Sequence, residues 1–235
     1  MTIKSHAILQ PGEAPDVSFV PPLVRRRLSP LQKIYFALAR QIELPAPIPP
    51  AAPQAPVAPI PPQAPIPPIF IFASRDGEDT LTRRIVDDFH ADGSVSPHRF
   101  SSSVYNAAPG LWSVFTKNVA PYTAIAAGDD TIECGLIETL AALKSGRDAV
   151  LVYAEETGGG YGAAVRFAAG CDSSASRMAS CSRVSRDSRV SSASRIASSA
   201  SQTKSLAFSD LVDFLSDPSK TLVGKWISLS HSCAG

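Results

Sequence analysis

Apolar residues recur along this chain with two periods, one typical of helices and one typical of strands. After Ser29 they fall every three or four residues, which predicts a helix with one buried face. Ser29 is predicted to be its N-cap, with Pro30 at the first helical position and Gln32 closing a capping box. The predicted buried face contains Leu31, Ile34, Tyr35, Leu38 and Ile42.

Three short apolar runs, at residues 69–73, 122–126 and 149–154, predict buried strands. The third run is apolar throughout, which indicates that both of its faces are covered. Helical periodicity follows each of the first two runs. Strands that alternate with helices predict an α/β fold with a largely parallel sheet.

Two helices are expected after those first two strands. One begins at about Glu78 and ends before Gly93, and the other runs from Gly128 to about Lys144. The side chains expected to face the core are Leu81, Ile85, Val86 and Phe89 in the first helix, and Ile132, Leu136, Leu140 and Leu143 in the second.

Two low-complexity tracts interrupt this pattern. Half of the residues from Pro45 to Pro68 are proline, which predicts an extended polyproline II spacer, or alternatively a ligand for a proline-recognition groove. From Ser173 to about Thr203 the chain repeats every six residues, with arginine at 177, 183, 189 and 195. We interpret this tract as a mobile, solvated insertion. A strand with arginines on one face, β-helix coils, and an RNA-binding or phosphorylated tract are the alternatives.

Composition excludes several classes of function. The 235 residues carry a formal net charge of +1, so no global charge attracts nucleic acid or anionic membranes. No apolar run approaches the roughly 20 residues that span a bilayer, so no membrane insertion is expected, and the first residues lack the apolar region of a secretory signal. The four cysteines have no metal-binding spacing, so neither a metal nor a disulfide framework is predicted. The chain is therefore expected to be a cytoplasmic protein with reduced thiols.

A glycine-rich segment from Gly158 to Ala163 follows the third predicted strand and superficially fits a dinucleotide-binding pattern. No amphipathic helix follows it, and Glu155 and Glu156 would repel a pyrophosphate. The segment is therefore interpreted as a flexible loop, and no cofactor is predicted.

Residues 73–156 contain, in order, ASRDGEDTL, SPHRFSSSVYNAAPGLWSV and TAIAAGDDTIECGLIETLAALKSGRDAVLVYAEE. In order and spacing they resemble the N-terminal half of β-ketoacyl synthases, and most closely the compact synthase-like or chain-length-factor subfamily. VPPLVRRRLSP at residues 20–30 and SLAFSDLVDFLSDPSKTLVGKWISL at residues 205–229 extend the resemblance. It implies a partial thiolase-like α/β fold with two low-complexity insertions, and an abbreviated first strand.

The resemblance divides the chain into five segments. The synthase-like domain would contain an N-terminal part (1–44), an α/β core (69–170) and a closing helix and strand (205–235). The proline-rich tract (45–68) and the Ser/Arg tract (171–204) would be inserted between them.

The chain departs from the synthases at the position of their nucleophile. Their strand ends in a Thr-Ala-Cys-Ala-type elbow, where a cysteine thiolate at a helix N-terminus accepts the acyl chain. The matching run here is Thr123 to Gly128, which places Ile125 at the nucleophile position. Cys134 lies about two and a half turns further along the helix and is expected to be structural. The two histidines that the second half of the synthases supplies are also not expected, because the chain ends where that half would begin.

Further roles are implied by position in the resemblance. The strand before the elbow would form the partner interface of a thiolase-type dimer, with help from the helix that follows Asn106. The interface candidates are Tyr122, Thr123, Ala124, Ile125 and Ala126, with Leu111, Trp112 and Phe115. The acyl-pocket candidates are Asp76, Phe100 and Asn106, although Phe100 could instead be core and Asn106 a turn cap. Arg25, Arg26 and Arg27 are candidates for contact with an acyl carrier protein or simply a solvated charge cluster.

The sequence therefore favours a non-catalytic synthase-like subunit that forms a heterodimer with a β-ketoacyl synthase in fatty-acid or polyketide-type biosynthesis. An acyltransferase with non-cysteine chemistry is one alternative. The other is an interaction protein that acts through its proline-rich and Ser/Arg tracts.

Overall fold

The structure is a computed structural model that describes residues 2–42, 67–118, 120–169, 205–225 and 227–230. The Ser/Arg tract and nearly all of the proline-rich tract lie outside these residues. The strands are β1 (Thr2–Leu9), β2 (Ile69–Ala73), β3 (Tyr122–Ile125), β4 (Ala149–Glu155), β5 (Tyr161–Ala168), β6 (Thr221–Val223) and β7 (Ser228–Ser230). The helices are α1 (Pro22–Arg25), α2 (Pro30–Gln41), α3 (Asp79–Asp92), α4 (Pro97–Ser103), α5 (Ala107–Thr116), α6 (Thr131–Lys144) and α7 (Phe208–Ser216).

Five strands form one mixed sheet in the order β1-β5-β4-β2-β3, and β6 pairs with β7 in a separate hairpin. β2 is parallel to both β3 and β4, whereas β5 is antiparallel to both β4 and β1. The predicted α/β class is confirmed, but the prediction of a largely parallel sheet is wrong. Only a short 3-10 turn, Thr157–Gly159, joins β4 to β5, and so short a connection can join only antiparallel neighbours.

Helices cover both faces of this sheet. On one face, α2 and α5 pack against Phe70, Phe72 and Val152. On the other face, α6, α7 and the β6–β7 hairpin pack against Ile71 and the other inward-facing residues of β2, β4 and β5. Since the segment after residue 204 completes the second layer, the residues on both sides of the Ser/Arg tract belong to one folded unit.

The capping box predicted at Ser29 is present. The Ser29 hydroxyl accepts a hydrogen bond from the Gln32 backbone N–H at 3.0 Å, and Gln32 Oε1 accepts one from the Ser29 N–H at 3.2 Å. All five side chains predicted for the inner face of α2 are buried. Together the cap and the apolar stripe fix the start and the orientation of α2 against the sheet.

The strand and helix that flank the elbow also follow the sequence prediction closely. β4 is buried at every residue, as its uninterrupted apolar run predicts. The helix predicted from Gly128 to Lys144 begins with a 3-10 turn, Gly128–Asp130, and continues as α6. Of its predicted core residues, Ile132 and Leu136 are buried, and Leu140 and Leu143 pack more peripherally.

α3 has the predicted bounds but not the predicted burial. Gly93 ends it in the left-handed conformation, at φ 71°. However, no residue of α3 is buried: Leu81 and Ile85 are half-buried, and Val86 and Phe89 are exposed. α3 packs on α4 rather than flat on the sheet, so its apolar stripe is only partly covered.

The sequence pattern predicts neither β1 nor β5 of the five-stranded sheet. β1 spans eight residues as an edge strand paired with β5, so the first strand is formed despite the expected abbreviation. The segment predicted to be a flexible loop instead makes the 3-10 turn and the first residues of β5. β5 does not alternate between apolar and polar residues, because it is buried along most of its length.

Candidate functional site

The segment after β3 forms a strand–turn–helix elbow. Ile125 ends β3 and is partly buried against the α6 layer of the core. Its carbonyl accepts a hydrogen bond from the Ser74 backbone N–H at 3.2 Å, and it pairs with Ala73 across the sheet. The side chain at the apex of the strand is therefore a core aliphatic that offers no donor, acceptor or nucleophile.

A hydroxyl fixes the turn between the elbow and α6. Thr131 Oγ1 accepts from the Ala127 N–H at 2.9 Å and donates to the Gly128 carbonyl at 2.7 Å, while Gly128 takes a φ of 57°. Asp129 forms an ion pair with Arg75 at 3.6 Å. Because its carboxylate lies at the start of the helix, it stabilises the helix dipole rather than a nucleophile.

Asp130 ties the elbow to the segment of residues 205–225. Its carboxylate accepts from the Ser205 hydroxyl at 2.7 Å and lies 3.6 Å from Lys225 Nζ. It makes no side-chain hydrogen bond to the helix amides, although it occupies the N-cap position. The Asp130 carboxylate therefore bridges two segments of the chain rather than capping α6.

A buried carboxylate cluster lies beside the elbow, at the carboxyl ends of β2 and β4. Glu155 is fully buried and accepts from the Ser74 hydroxyl at 3.0 Å, from the Asp76 N–H at 3.2 Å and from the Arg75 N–H. Burial raises the pKa of Glu155, and these hydrogen bonds oppose the shift. The cluster therefore holds the loop after β2 against the end of β4.

Glu78 extends this cluster to the start of α3. It is 3% exposed, its Oε1 accepts from Gln32 Nε2 at 2.8 Å, and its Oε2 has no hydrogen-bond partner among the described residues. The pKa of Glu78 is raised from its ordinary 4.5 to about 7, mainly by burial and also by the charge of the nearby Glu156. Hydrogen bonding to Ser29 and Gln32 opposes this rise.

This shift predicts a pH-dependent stability that Glu78→Gln removes. Folding favours the protonated form, so the contribution of Glu78 to stability is fully present below pH 4.5 and is lost as the pH rises to about 7. Above that pH the ionised Glu78 lowers the free energy of unfolding of the wild type by on the order of 3 kcal/mol. The amide that Glu78→Gln introduces stays uncharged and can still accept a hydrogen bond from Gln32. Urea unfolding between pH 4.5 and 8 should show the variant gaining stability over the wild type as the pH rises.

The matched control for this measurement is Glu13→Gln, because Glu13 is exposed. A difference in unfolding free energy between Glu78→Gln and the wild type that stays constant across this pH range would contradict the assignment.

The sequence reasoning did not single out this cluster. Gln32 was recognised only as a capping residue, and Glu155 and Glu156 only as a source of repulsion. The available signal was the placement of two acids directly after a wholly apolar strand, where at least one of them must be buried and hydrogen-bonded.

The three acyl-pocket candidates are not enclosed around one cavity in the structure. Asp76 belongs to the loop of the cluster, where it binds Arg75 and accepts from the Thr157 hydroxyl at 3.2 Å. Phe100 is 59% exposed on α4, which excludes the interpretation as core, and Asn106 precedes α5 without a side-chain capping bond. A small cavity lies instead between α5 and the sheet, lined by Phe70, Phe72, Pro109, Trp112, Ser113, Asn118, Ala120 and Tyr122.

Comparisons with known proteins agree with this geometry. Residues 60–226, well over half of the chain, match the family model for the β-ketoacyl synthase N-terminal domain. A solved structure described as a ketosynthase (ApeO) in complex with its chain length factor (ApeC) from Xenorhabdus doucetiae contains a similar chain. The TM-score is 0.54 at 18% identity, over 72% of this chain and 78% of that chain. No curated protein matches.

The chain belongs to the β-ketoacyl synthase family. The predicted thiolase-like fold of a synthase N-terminal half is therefore confirmed.

The interface candidates separate into exposed residues and core residues. Tyr122 is 41% exposed, residues 123–125 are half-buried, Ala126 is exposed, and Leu111 is 39% exposed on α5. Trp112 and Phe115 instead pack on Phe36, with ring centroids 5.2 and 5.8 Å apart. Trp112 and Phe115 therefore stabilise the folded chain itself, and Val114, at 79% exposure, is the more accessible residue of α5.

The two edges of the sheet differ in a way that bears on association. On β1 the exposed Lys4 interrupts the pairing register between Ile3 and Ser5, and charges and irregularities of this kind protect an edge from further pairing. β3 has no charged residue and no irregularity, and its outer side has no strand beside it among the described residues. The β3 edge is therefore the one suited to pair with another chain.

The remaining candidates are peripheral. Arg25 ends α1 and is half-buried, while Arg26 and Arg27 are exposed. Cys134 is a half-buried free thiol whose pKa is raised by burial and by Asp130 and Glu133, which disfavours the thiolate.

Within the described ranges no group of three potential ligands could hold a metal ion. No helix in the same ranges is long and apolar enough to cross a membrane.

Proposed function

We propose that this protein is a non-catalytic, chain-length-factor-like subunit that forms a heterodimer with a cysteine-bearing β-ketoacyl synthase in fatty-acid or polyketide-type biosynthesis. The observation that carries the proposal is Ile125 at the apex of an otherwise intact elbow. A synthase fold that retains the elbow but lacks its thiol can still support a partner's site.

Three features of the elbow support a structural role for it. Ile125 packs against the core, and Thr131 fixes the turn. Asp129 and Asp130 lie at the start of the helix, where a synthase needs an environment that lowers the pKa of its thiol. The elbow therefore serves to fix the end of β3, which is the open edge of the sheet.

In the proposed heterodimer, β3 pairs with a strand of the synthase partner. The outer N–H and C=O groups of β3 supply backbone hydrogen bonds, and the uncharged side chains of residues 122–125 allow close approach. The ApeO–ApeC complex is described as a ketosynthase with its chain length factor, which supports the proposal that a chain of this fold assembles with a ketosynthase.

Finer roles follow the same proposal. Asp76, Phe100 and Asn106 would border the far end of the partner's acyl tunnel, and Arg25, Arg26 and Arg27 would contact an acyl carrier protein. Residues 45–68 and 171–204 are proposed to be insertions in a single synthase-like domain.

Co-expression with the cysteine-bearing β-ketoacyl synthases of the source organism tests the proposal. We expect a one-to-one complex with one of them by light scattering, and self-association of the chain when it is expressed alone. A well-behaved monomer that binds none of these synthases would refute the proposed function and leave an interaction role for the proline-rich tract.

The isolated chain is expected to accept no acyl group from acyl carrier protein substrates, and Ile125→Cys should not confer condensing activity. A thiol at position 125 would precede Asp129 and Asp130 by four and five residues in the chain, and the negative charges of these acids oppose thiolate formation. Intact-mass spectrometry checks the first statement, and product analysis checks the second. An acyl adduct that disappears when one of the four cysteines is replaced would favour an acyltransferase instead.

A further inference from the structure

The helices α3 and α4 are attached to the rest of the fold by little apolar packing. No residue of either helix is buried. α3 packs mainly on α4, and an ion pair between Arg99 and Asp88 joins the two helices. We call residues 79–103 the α3–α4 unit. Elements that bury little apolar surface are the ones that open locally while the rest of a protein stays folded.

Polar groups at its start hold the α3–α4 unit in place. Just before α3, Glu78 Oε1 accepts a hydrogen bond from Gln32 Nε2 on α2 at 2.8 Å. Glu156, which follows β4, accepts one from the Thr80 N–H in the first turn of α3. Gln32 Nε2 also donates to the Ser102 carbonyl near the end of α4 at 3.5 Å. The attachment of the unit to α2 and to the end of β4 therefore depends on two carboxyl groups.

Glu78 is poorly placed to carry a negative charge. It is buried, its donor Gln32 is a neutral amide, and its Oε2 has no hydrogen-bond partner among the described residues. An ionised carboxylate buried in this way is far less stable than the protonated acid, which can keep its bond to Gln32. The closed position of the α3–α4 unit therefore favours protonated Glu78, and the raised pKa of Glu78 agrees with this geometry.

The charged groups around Glu78 do not compensate for its burial. Glu156 acts on it from the segment after β4 and Tyr35 faces it from α2, and neither carries a positive charge. The arginines of the adjoining loop and helices are bound to other acids, Arg75 to Asp76, Arg83 to Asp79 and Arg99 to Asp88. The remaining titratable groups of this region are Glu155 and Tyr105. Glu78 thus forms no ion pair within the part of the chain that the structure describes.

We propose that Glu78 is a pH-sensitive latch for the α3–α4 unit. While Glu78 is protonated, the unit stays closed on α2 and on the end of β4. When Glu78 loses its proton, the closed form loses stability relative to an open form in which water surrounds the carboxylate. This device goes beyond the proposed function, and its test needs no partner protein.

Opening of the latch should become more frequent as the pH rises. In the open form the pKa of Glu78 returns towards 4.5, whereas in the closed form it is about 7. The contribution of Glu78 to the closed form is therefore fully present below pH 4.5 and is lost as the pH rises to about 7. Between pH 5 and pH 8, this linkage raises the equilibrium constant for opening on the order of 50-fold.

Hydrogen exchange of the full chain, measured by mass spectrometry between pH 5 and pH 8, tests the latch. After correction for the intrinsic exchange rate, the protection of amides in the α3–α4 unit should fall on the order of 50-fold over this range. Low concentrations of urea should leave this exchange nearly unchanged, because local opening exposes little surface. Amides of β4 should be better protected at every pH and should respond to urea.

Substitutions test whether Glu78 is the group that senses pH. Glu78→Gln should make the protection of the α3–α4 unit independent of pH. Glu156→Gln removes a charge that raises the pKa of Glu78, so it should make the pH effect smaller and move it to lower pH. Asp87→Asn is the matched control, because Asp87 is an exposed acid of the same helix, and it should keep the full wild-type pH effect.

Three results would overturn the proposal. Wild-type protection of the α3–α4 unit that does not change with pH would show that no latch operates. A pH effect that persists in Glu78→Gln would assign it to another group. Exchange of the unit that responds to urea as steeply as that of β4 would show that the two helices open only when the whole chain unfolds.

Discussion

Ala124→Glu is expected to abolish the heterodimer while leaving the chain folded. In the proposed complex the strand of the partner lies directly beside β3, so a carboxylate at position 124 would be enclosed between the two chains without a counter-charge. An unpaired buried charge costs about 3 to 5 kcal/mol, which corresponds to a loss of affinity of at least ~100-fold. Light scattering on the co-expressed pair checks this result.

A second substitution at the same position tests the backbone hydrogen bonds. The carbonyls of Pro121 and Ile125 accept hydrogen bonds from β2, so the backbone polar groups of every second residue in this segment face β2. Ala124 belongs to the other set, and its N–H therefore faces away from β2. Ala124→Pro removes that outward donor without removing a hydrogen bond to β2. It should therefore weaken the complex as Ala124→Glu does, although it adds no charge.

His6→Glu on β1 is the matched control, since it too places a carboxylate on an edge strand, here at an exposed position. It should leave binding unchanged, because the β1 edge already bears a lysine and an irregular register. Full binding by a folded Ala124→Glu variant would exclude β3 as the interface.

The elements that the sequence predicts well are those in which local pattern and tertiary role coincide. The cap at Ser29, the apolar stripe of α2 and the uninterrupted run of β4 each specify a boundary or a buried face directly. The sequence predicts the elbow equally well, because a strand, a glycine and an apolar helical stripe follow one another between residues 122 and 144.

The failures have physical causes. The stripe of α3 predicts burial, but periodicity does not reveal what covers a helix, and Phe89 remains exposed within the described structure. β5 is mostly Ala, Gly and Val after a run of glycines, so it lacks the alternation that marks a half-buried strand. Glu78 is buried through a hydrogen bond to Gln32, 46 residues away in the chain, and sequence spacing cannot reveal such a contact.

Gly162→Ala is expected to cause a large loss of stability, because β5 approaches its neighbours too closely for a side chain at this position. A Cβ there would overlap the Tyr153 carbonyl oxygen and would lie 2.8 Å from Leu38 Cδ1 and 3.1 Å from Ala154 Cα. Two of these atoms belong to the backbone of β4 and cannot move without disturbing the centre of the sheet. Overpacking of this kind costs about 3 kcal/mol, which lowers Tm by roughly 6 to 12 °C.

Gly110→Ala is the matched control for this prediction. Gly110 lies inside α5, and the nearest atom to a Cβ there is the Tyr122 hydroxyl at 3.6 Å, so alanine should be neutral or stabilise by up to about 1 kcal/mol through helix propensity. Equal Tm values for the two variants would show that β5 does not lie as close to β4 as described. β5 is separated from β3 by β4 and β2. Gly162→Ala should therefore lower Tm without changing the affinity of the folded fraction for its partner. Ala124→Pro should do the reverse, with a large loss of that affinity and only a small change in Tm.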